Sequence, residues 1–405
     1  MARSEAGRRG TDVRSDCWIS IETAAEGGIS LQIASKVERM YGGSVRRVIE
    51  EGLRFFGIEH GRVQMEDQGA LPFTIMARLE TAVRRLDASL TKQYLPEFIP
   101  ECTYGTARGR MRRSRLYLPG NDPKFMINAG IHKPDGVILD LEDSVHPGEK
   151  DAARIMVRNA LRQVDFMGAE RMVRINQGEM GLLDLEFVIP HNVHVVLIPK
   201  CESAEQVKAV DDKIQEIRKR EKIDNQVLLM PIVESGLGAI KAYDIATASP
   251  NNVALTIGLE DYTADIGTRR TPEGRESFWA RSQIVNAARA ARLQPIDTVF
   301  SDVGDMEGLR ESVLEAKSLG FDGKGCIHPR QIRVIHEAFA PADAEIERAR
   351  KIVLAFEAAE AKGLGVVSLG SKMIDPPVVK RALHTVELAI ATGKIDRNWR
   401  DSDER

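Results

Sequence analysis

Gly136-Val-Ile-Leu-Asp-Leu-Glu-Asp143 is an apolar run that closes on acidic residues. Such a run, short and followed by helical periodicity, reads as a parallel strand covered on both faces. Upstream lies Arg115-Leu-Tyr-Leu-Pro119, and downstream lie Met172-Val-Arg-Ile-Asn176 and Val195-Val-Leu-Ile-Pro-Lys200. Val227-Leu-Leu-Met-Pro-Ile-Val-Glu234, Val253-Ala-Leu-Thr-Ile-Gly-Leu-Glu-Asp261, Ile296-Asp-Thr-Val-Phe-Ser-Asp302 and Gly325-Cys-Ile-His-Pro329 complete a set of eight. Between them, residues 149–164, 204–221, 236–248, 276–292 and 306–319 carry apolar side chains at three- and four-residue steps, the spacing of amphipathic helices. Eight alternating units predict a (β/α)8 TIM barrel, whose chemistry gathers at the carboxyl ends of the strands. Those ends carry Glu142, Asp143, Arg174, Asn176, Lys200, Glu234, Glu260 and Asp261. An acidic mouth with cationic partners is an enzyme's layout.

The 405 residues exceed what a barrel of roughly 250 to 300 residues needs. Residues 1–95 read as a separate small α+β module. Trp18-Ile-Ser-Ile-Glu22 and Ile29-Ser-Leu-Gln-Ile33 alternate like strands, Val37 to Phe56 is a helix, Val63-Gln-Met-Glu a third strand, and Pro72 to Leu86 a second helix. Residues 96–111 form a linker, and residues 112–405 the barrel with a C-terminal helical extension over 342–362 and 376–392.

Composition narrows the function further. Apolar residues make up 43% and charged residues 29% of the chain, an ordinary globular balance. A net charge of -3 argues against nucleic acid or an anionic membrane as main partner. The basic run Arg108-Gly-Arg-Met-Arg-Arg113 lacks interleaved aromatics and reads as a solvated or phosphate-facing tail. Cys17, Cys102, Cys201 and Cys326 are widely spaced, which points to a reducing cytoplasm rather than a disulfide framework or a zinc site. Neither a signal peptide nor a membrane-spanning run is expected.

Two carboxylates on adjacent strands, Glu234 and Asp261, suit magnesium, which takes its remaining oxygens from water and substrate. The alternative is that both cap the helices that follow. Arg174, inside an apolar run, needs a carboxylate or a ligand; a salt bridge to Glu142 or Asp143 and a clamp on a substrate oxyanion both satisfy it. Asp375 before Pro376-Pro377 has the look of a helix N-cap. His328 could act as a base or serve the strand end structurally.

These motifs, in order and spacing, resemble the citrate lyase β subunit and its relatives in the aldolase and citrate lyase superfamily. The resemblance runs through Arg113-Ser-Arg-Leu-Tyr-Leu-Pro-Gly120, Leu139-Asp-Leu-Glu-Asp-Ser-Val145, Val173-Arg-Ile-Asn176 and Ile257-Gly-Leu-Glu-Asp-Tyr262. It continues through Ala264-Asp-Ile-Gly-Thr-Arg-Arg-Thr-Pro-Glu-Gly274, Phe321-Asp-Gly-Lys324 and Gly365-Val-Val-Ser-Leu-Gly-Ser-Lys-Met-Ile-Asp375. It implies that Glu234 and Asp261 hold Mg2+ and that Arg174 binds the oxygen that becomes the enolate. It also implies that Arg113, Arg174, Glu142 and Asp143 attend the substrate, and that Asp375 reaches in from a neighbouring protomer of a homotrimer to handle the proton. The implied reaction is cleavage of a citryl thioester to oxaloacetate and acetyl thioester, with citramalyl-CoA or malyl-CoA lyase or thioesterase activity, or a carrier and assembly role, as alternatives.

The N-terminal module resembles the citrate lyase γ subunit, an acyl carrier, through Gly10-Thr11, Ser15-Asp16, Ile29 to Ile33, Val37-Glu38, Glu66 to Leu71 and Ala77 to Glu80. The serine that carries the dephospho-coenzyme A arm in that family falls at Arg14, with Ser15 one residue on. Arginine cannot accept a phosphodiester. Either Ser15 takes the arm, or the module is unmodified and the barrel acts on free coenzyme A thioesters. A citrate lyase α subunit is the partner the resemblance implies.

Overall fold

The structure, a computed structural model, describes residues 2–361, 363, 367–369 and 372–400. It divides into two compact units, Met1–Ile332 and Arg333–Arg405.

The first unit opens with a four-stranded sheet, β1 (Arg3–Gly7), β2 (Cys17–Thr23), β3 (Ile29–Ser35) and β4 (Gly61–Asp67), in the order β1-β2-β4-β3. Helices α1 (Glu38–Phe56) and α2 (Pro72–Leu86) close its core. Ile19, Ile21, Val63 and Met65 point inward from the central strands and meet Val45, Ile49, Ile75 and Leu79 of the helices. Each fully buried aliphatic side chain of this kind contributes about 1.5 to 3 kcal/mol. The edge strand β1 is absent from the sequence reading. Only Ala6 of its five residues is fully buried, so it carries no periodic signal and exists through its antiparallel pairing with β2. Gly7, where β1 ends, has a φ of +90°, and a Cβ there would lie 1.9 Å from the Cys17 carbonyl oxygen.

The barrel follows. Its strands are β5 (Ser114–Pro119), β6 (Gly136–Asp140), β7 (Glu170–Arg174), β8 (Val195–Ile198), β9 (Leu228–Val233), β10 (Ala254–Ile257), β11 (Gln294–Asp297) and β12 (Gly323–Cys326). Each pairs in parallel with the next, and β12 pairs with β5 to close the ring. The helices between them are α3 (Pro123–Ile127), α4 (Lys150–Gln163), α5 (Gly178–Val188), α6 (Ala204–Glu221), α7 (Gly236–Ile240), α8 (Ala242–Thr247), α9 (Leu259–Asp265), α10 (Phe278–Ala290) and α11 (Met306–Leu319). Helix α12 (Pro329–Phe339) comes after the last strand. The eight-stranded barrel is therefore as expected, while α3, α5, α9 and α12 are additions to the sequence reading.

Module and barrel are joined by one buried ion pair, Arg158 with Glu80, and by hydrogen bonds from a second buried arginine, Arg78, whose own ion pair lies within the module. Arg78 of α2 grips Asp16 through Nε and Nη2 at 2.9 and 2.8 Å, and its Nη2 also donates to the Asn121 carbonyl at 3.0 Å, just past β5. Arg158 of α4 grips Glu80 of α2 at 2.9 and 2.8 Å. All four charged side chains are fully buried.

The second unit holds α13 (Asp343–Glu360), the hairpin of β13 (Val367–Leu369) and β14 (Lys372–Ile374), and α14 (Pro376–Ala391). Ile352, Val353, Val379, Val386 and Trp399 form its core. Lys362, Gly365, Val366, Gly370 and Ser371, which fall in the expected helix end and the motif before Asp375, lie outside the described residues. No described helix is long and apolar enough to cross a membrane. All four cysteines are free and buried.

Candidate active site

Asp140 ends β6 and Arg174 ends β7, and the two are directly paired in the parallel register. Arg174 donates from Nε to Asp140 Oδ1 at 2.7 Å and from Nη2 to Oδ2 at 2.8 Å. Its remaining Nη1 lies 3.0 Å from Glu142 Oε2 and 3.8 Å from Asp143 Oδ2, and its guanidinium stands 5.2 Å from the Tyr117 ring centroid. Burial opposes the Asp140 charge, yet the Arg174 hydrogen bonds and charge outweigh it and hold that carboxyl below its ordinary range. For Glu142 the balance tips the other way: burial raises it in spite of Arg174. The expected bridge from Arg174 to Glu142 and Asp143 is thus present, but the principal partner is Asp140.

Lys200 is the second hub. It follows β8 with a φ of +45°, and its backbone N–H donates to Glu234 Oε2 at 2.8 Å. Its Nζ lies 3.3 Å from Glu142 Oε1, 3.4 Å from Asp143 Oδ1 and 3.6 Å from Asp261 Oδ1. One ammonium thus draws three carboxylates, from the segments after β6 and β10, toward one point. Burial works against this charge, but the surrounding carboxylates prevail and raise its pKa.

Glu234 follows β9 and is buried. Burial, reinforced by Asp261 and Glu142 and opposed by the Lys200 N–H and Arg174, pushes its carboxyl up to about 7. It does not cap α7, because Ser235 does, accepting from the Gly238 N–H at 3.1 Å. Gly258 permits its position, since a Cβ there would sit 2.5 Å from Glu234 Oε1. Asp261 is not at the strand end as read from sequence. Strand β10 stops at Ile257, and Asp261 occupies the first turn of α9, half exposed. Tyr117, Arg174, Glu234 and Asp261 share the wall of a cavity of about 480 Å³.

The other expected site residues lie elsewhere. Arg113 precedes β5 at the amino end of the barrel, where Asp135 takes its Nε and Nη2 at 2.9 Å each. That is the rim opposite the carboxyl ends, so Arg113 does not join the cluster. Arg115, two residues on, lines the cavity instead. Glu260 pairs with Arg270 at 2.8 Å, and His328 Nδ1 accepts from the Arg330 N–H at 3.1 Å. Asp375, in the second unit, caps α14 by accepting from the Val378 N–H at 3.2 Å. Ser15, half-buried, has a φ of +56° and donates its N–H to the Gln68 carbonyl at 3.1 Å, beside an exposed Arg14.

The donor set fits a hard divalent cation that keeps part of its water shell. Among the described residues no three His, Cys, Asp or Glu side chains form a closed cage. Magnesium does not require one; it is held by one or two carboxylates, with water and substrate completing its octahedron. A buried Glu234 near Asp261, its proton affinity raised for want of compensating charge, is such a pair.

The family described as HpcH/HpaI aldolase/citrate lyase matches residues 113–329, more than half of the chain. The chain belongs to that family. A second family, described as malonate decarboxylase delta subunit (MdcD), an acyl-carrier family, matches residues 5–86. Among relatives, the citrate lyase subunit beta of Haemophilus influenzae is 43% identical over 285 residues, covering 69% of this chain and 97% of its own. The mitochondrial citramalyl-CoA lyase of Homo sapiens is 33% identical over 324 residues, 76% of this chain and 94% of its own. Among solved structures, the CitE protein of Mycobacterium tuberculosis in complex with magnesium, acetoacetate and coenzyme A matches with a TM-score of 0.58 and 31% identity, covering 70% of this chain and 99% of that one. These relatives make the family's chemistry carbon–carbon lysis of acyl thioesters.

Proposed function

We propose that the chain is a magnesium-dependent lyase that cleaves a citryl thioester of coenzyme A to oxaloacetate and acetyl thioester. The observation that carries this reading is the convergence of Arg174, Glu234 and Asp261 on one cavity at the carboxyl ends of the strands, with Lys200 in contact with both carboxylates. Glu234 and Asp261 would hold Mg2+, which supplies polarisation of the substrate hydroxyl and its neighbouring carboxylate. Arg174, fixed in direction by Asp140, stabilises the enolate oxygen that develops as the carbon–carbon bond breaks. Glu142 and Asp143 orient water and substrate through their contacts with Arg174 and Lys200. The hydroxyl proton leaves as that oxygen becomes the ketone of oxaloacetate, and the enolate of the acetyl thioester takes a proton on carbon. We assign both transfers to Asp375 of a neighbouring protomer in a homotrimer, which accepts the first proton and returns it to carbon. That assignment is supported by the family resemblance alone.

The test is direct. The purified chain, given citryl-CoA and Mg2+, should release oxaloacetate, followed by a coupled malate dehydrogenase assay, and excess chelator should stop it. Undiminished release under chelator overturns the metal assignment. The similarity to citramalyl-CoA lyase supplies the second reading, and pyruvate from citramalyl-CoA in place of oxaloacetate from citryl-CoA would favour it. Intact-mass spectrometry decides whether a coenzyme-sized arm sits on Ser15, and co-purification decides whether an α subunit accompanies the chain. Four free cysteines support a cytoplasmic setting.

A further inference from the structure

Five arginines of the first unit are fully buried, and four of them have clear partners. Arg78, Arg112 and Arg158 hold Asp16, Glu170 and Glu80, while Arg171 donates to the carbonyls of Cys102, Leu161 and His191. Arg115 is the exception. Among the described residues its Nη1 reaches only the Met230 sulfur at 3.1 Å and the Thr256 hydroxyl at 3.4 Å, and its Nη2 only the Asp297 carbonyl at 3.5 Å. Its Nε has no partner among the described residues. A buried guanidinium left this way is costly, because its desolvation is not repaid by an opposite charge.

The carboxylate of Asp297, whose carbonyl Arg115 touches, is already committed. Asp297 Oδ2 takes Lys324 Nζ at 2.7 Å and Arg281 Nη2 at 3.1 Å, and Oδ1 takes Arg281 Nε at 3.2 Å. Even counting Glu315, which accepts from Arg281 at 2.9 Å, three cations face two carboxylates. Arg115 and Tyr117 share the inward face of β5, so Arg115 lies below Tyr117, on the floor of the cavity whose upper wall bears Arg174. Gly325 belongs to the same lining. A side chain there would begin 2.7 Å from Val299 Cγ1 and 3.4 Å from the Tyr117 ring, so glycine keeps that space open.

We propose that Arg115 receives a second carboxylate of the acyl substrate, making the cavity selective for β-hydroxy acyl thioesters whose departing oxo acid is a dicarboxylate. The proposal rests on the lyase reading and narrows it. A citryl group carries one carboxylate on the hydroxyl-bearing carbon and another one methylene away, and the second extends to the floor when the first is held at the mouth. A citramalyl group has a methyl in that place and leaves Arg115 unpaired, which costs binding in the transition state as well as the ground state.

The experiment compares kcat/KM for citryl-CoA and citramalyl-CoA in the wild type, Arg115→Met and Arg115→Lys. The citryl preference should fall at least tenfold in Arg115→Met and less in Arg115→Lys, which keeps a buried cation should the methionine variant fail to fold. Alongside, the wild type should bind oxaloacetate at least tenfold more tightly than pyruvate by calorimetry, and Arg115→Lys should narrow that gap. An unchanged citryl preference in either folded variant, or equal binding of the two oxo acids by the wild type, overturns the proposal. If the wild type cleaves neither thioester, the lyase reading falls by itself, and the oxo-acid binding of wild type against Arg115→Lys still decides what Arg115 recognises.

Discussion

Arg174 meets Asp140 side by side across two neighbouring strands, with two parallel hydrogen bonds of 2.7 and 2.8 Å. Two of its nitrogens are thereby committed, and Nη1 alone is left to face Glu142 and the cavity. Asp140 thus acts as a positioning residue. Asp140→Ala should lower kcat more than it raises KM, because Arg174 keeps its charge but loses its direction. Removing one partner of such a buried pair costs about 3 to 5 kcal/mol of stability. A purely structural role would lower the melting temperature and leave kcat of the folded fraction unchanged.

Arg174→Lys tests the same contact from the other side. A lysine restores the charge but not the planar fork, so it cannot hold Asp140 at two points and face the cavity at once. Turnover should fall at least tenfold, with a smaller change in KM. Turnover near that of the wild type would return Arg174 to the part of a salt bridge.

Glu234→Ala and Asp261→Ala should each abolish magnesium-dependent turnover and magnesium binding by calorimetry while leaving the circular dichroism spectrum unchanged. Both residues lie beyond the ends of their strands, where side chains serve chemistry more than barrel packing. A variant that binds the ion as the wild type does removes that residue from the metal site.

Asp375 calls for a mixing experiment. Asp375→Ala and Glu234→Ala chains, each inactive alone, should recover partial activity when dissociated together and reassembled. Some mixed oligomers then combine an intact metal centre from one chain with an intact aspartate from another. Absence of rescue in demonstrably mixed oligomers confines Asp375 to the helix cap it forms on α14.

Two histidines make the fold sensitive to acid. Burial, with Arg158 and Arg162 nearby, pushes His191 down to about 3, and burial above all pushes His194 down to about 4. His194 Nδ1 accepts from the Arg171 backbone N–H at 3.1 Å, leaving Nε2 to face the Tyr104 carbonyl at 2.8 Å, so the neutral ring satisfies both contacts. Both rings are neutral in the folded state, whereas the unfolded chain takes up protons near 6.5. Their contribution is full above that pH and is lost as pH falls toward the folded-state values, by up to about 1.4 kcal/mol per unit for each ring. Urea unfolding at pH 7 and pH 5 should display the loss, and His194→Gln should reduce it.

Much of this was legible in the chain itself. Parallel strands buried on both faces announce themselves as apolar runs, which is why all eight barrel strands could be placed. Asp140 escaped notice for the same reason that it matters: it sits at the end of such a run, and only the register between β6 and β7 sets it against Arg174. Lys200 stood among the strand-end residues, but its reach to three carboxylates depends on a left-handed backbone that residue order does not reveal. Asp261 was placed one element early because Gly258-Leu259 turns directly into a helix. Arg113 and Arg115 lie two positions apart in one motif yet differ in place, one paired at the amino rim and one facing the interior.

The buried pair between Arg158 of the barrel and Glu80 of the module, with the hydrogen bonds of Arg78 to Asn121, ties the stability of one part to the other. A carrier that arrives as a separate protein can serve several enzymes and be replaced. Here, cutting the chain between module and barrel would strip Arg158 of its carboxylate and bare a helix surface made to be covered. Barrel and module should therefore unfold together, since parting them leaves the Arg158 guanidinium without the countercharge it is packed against.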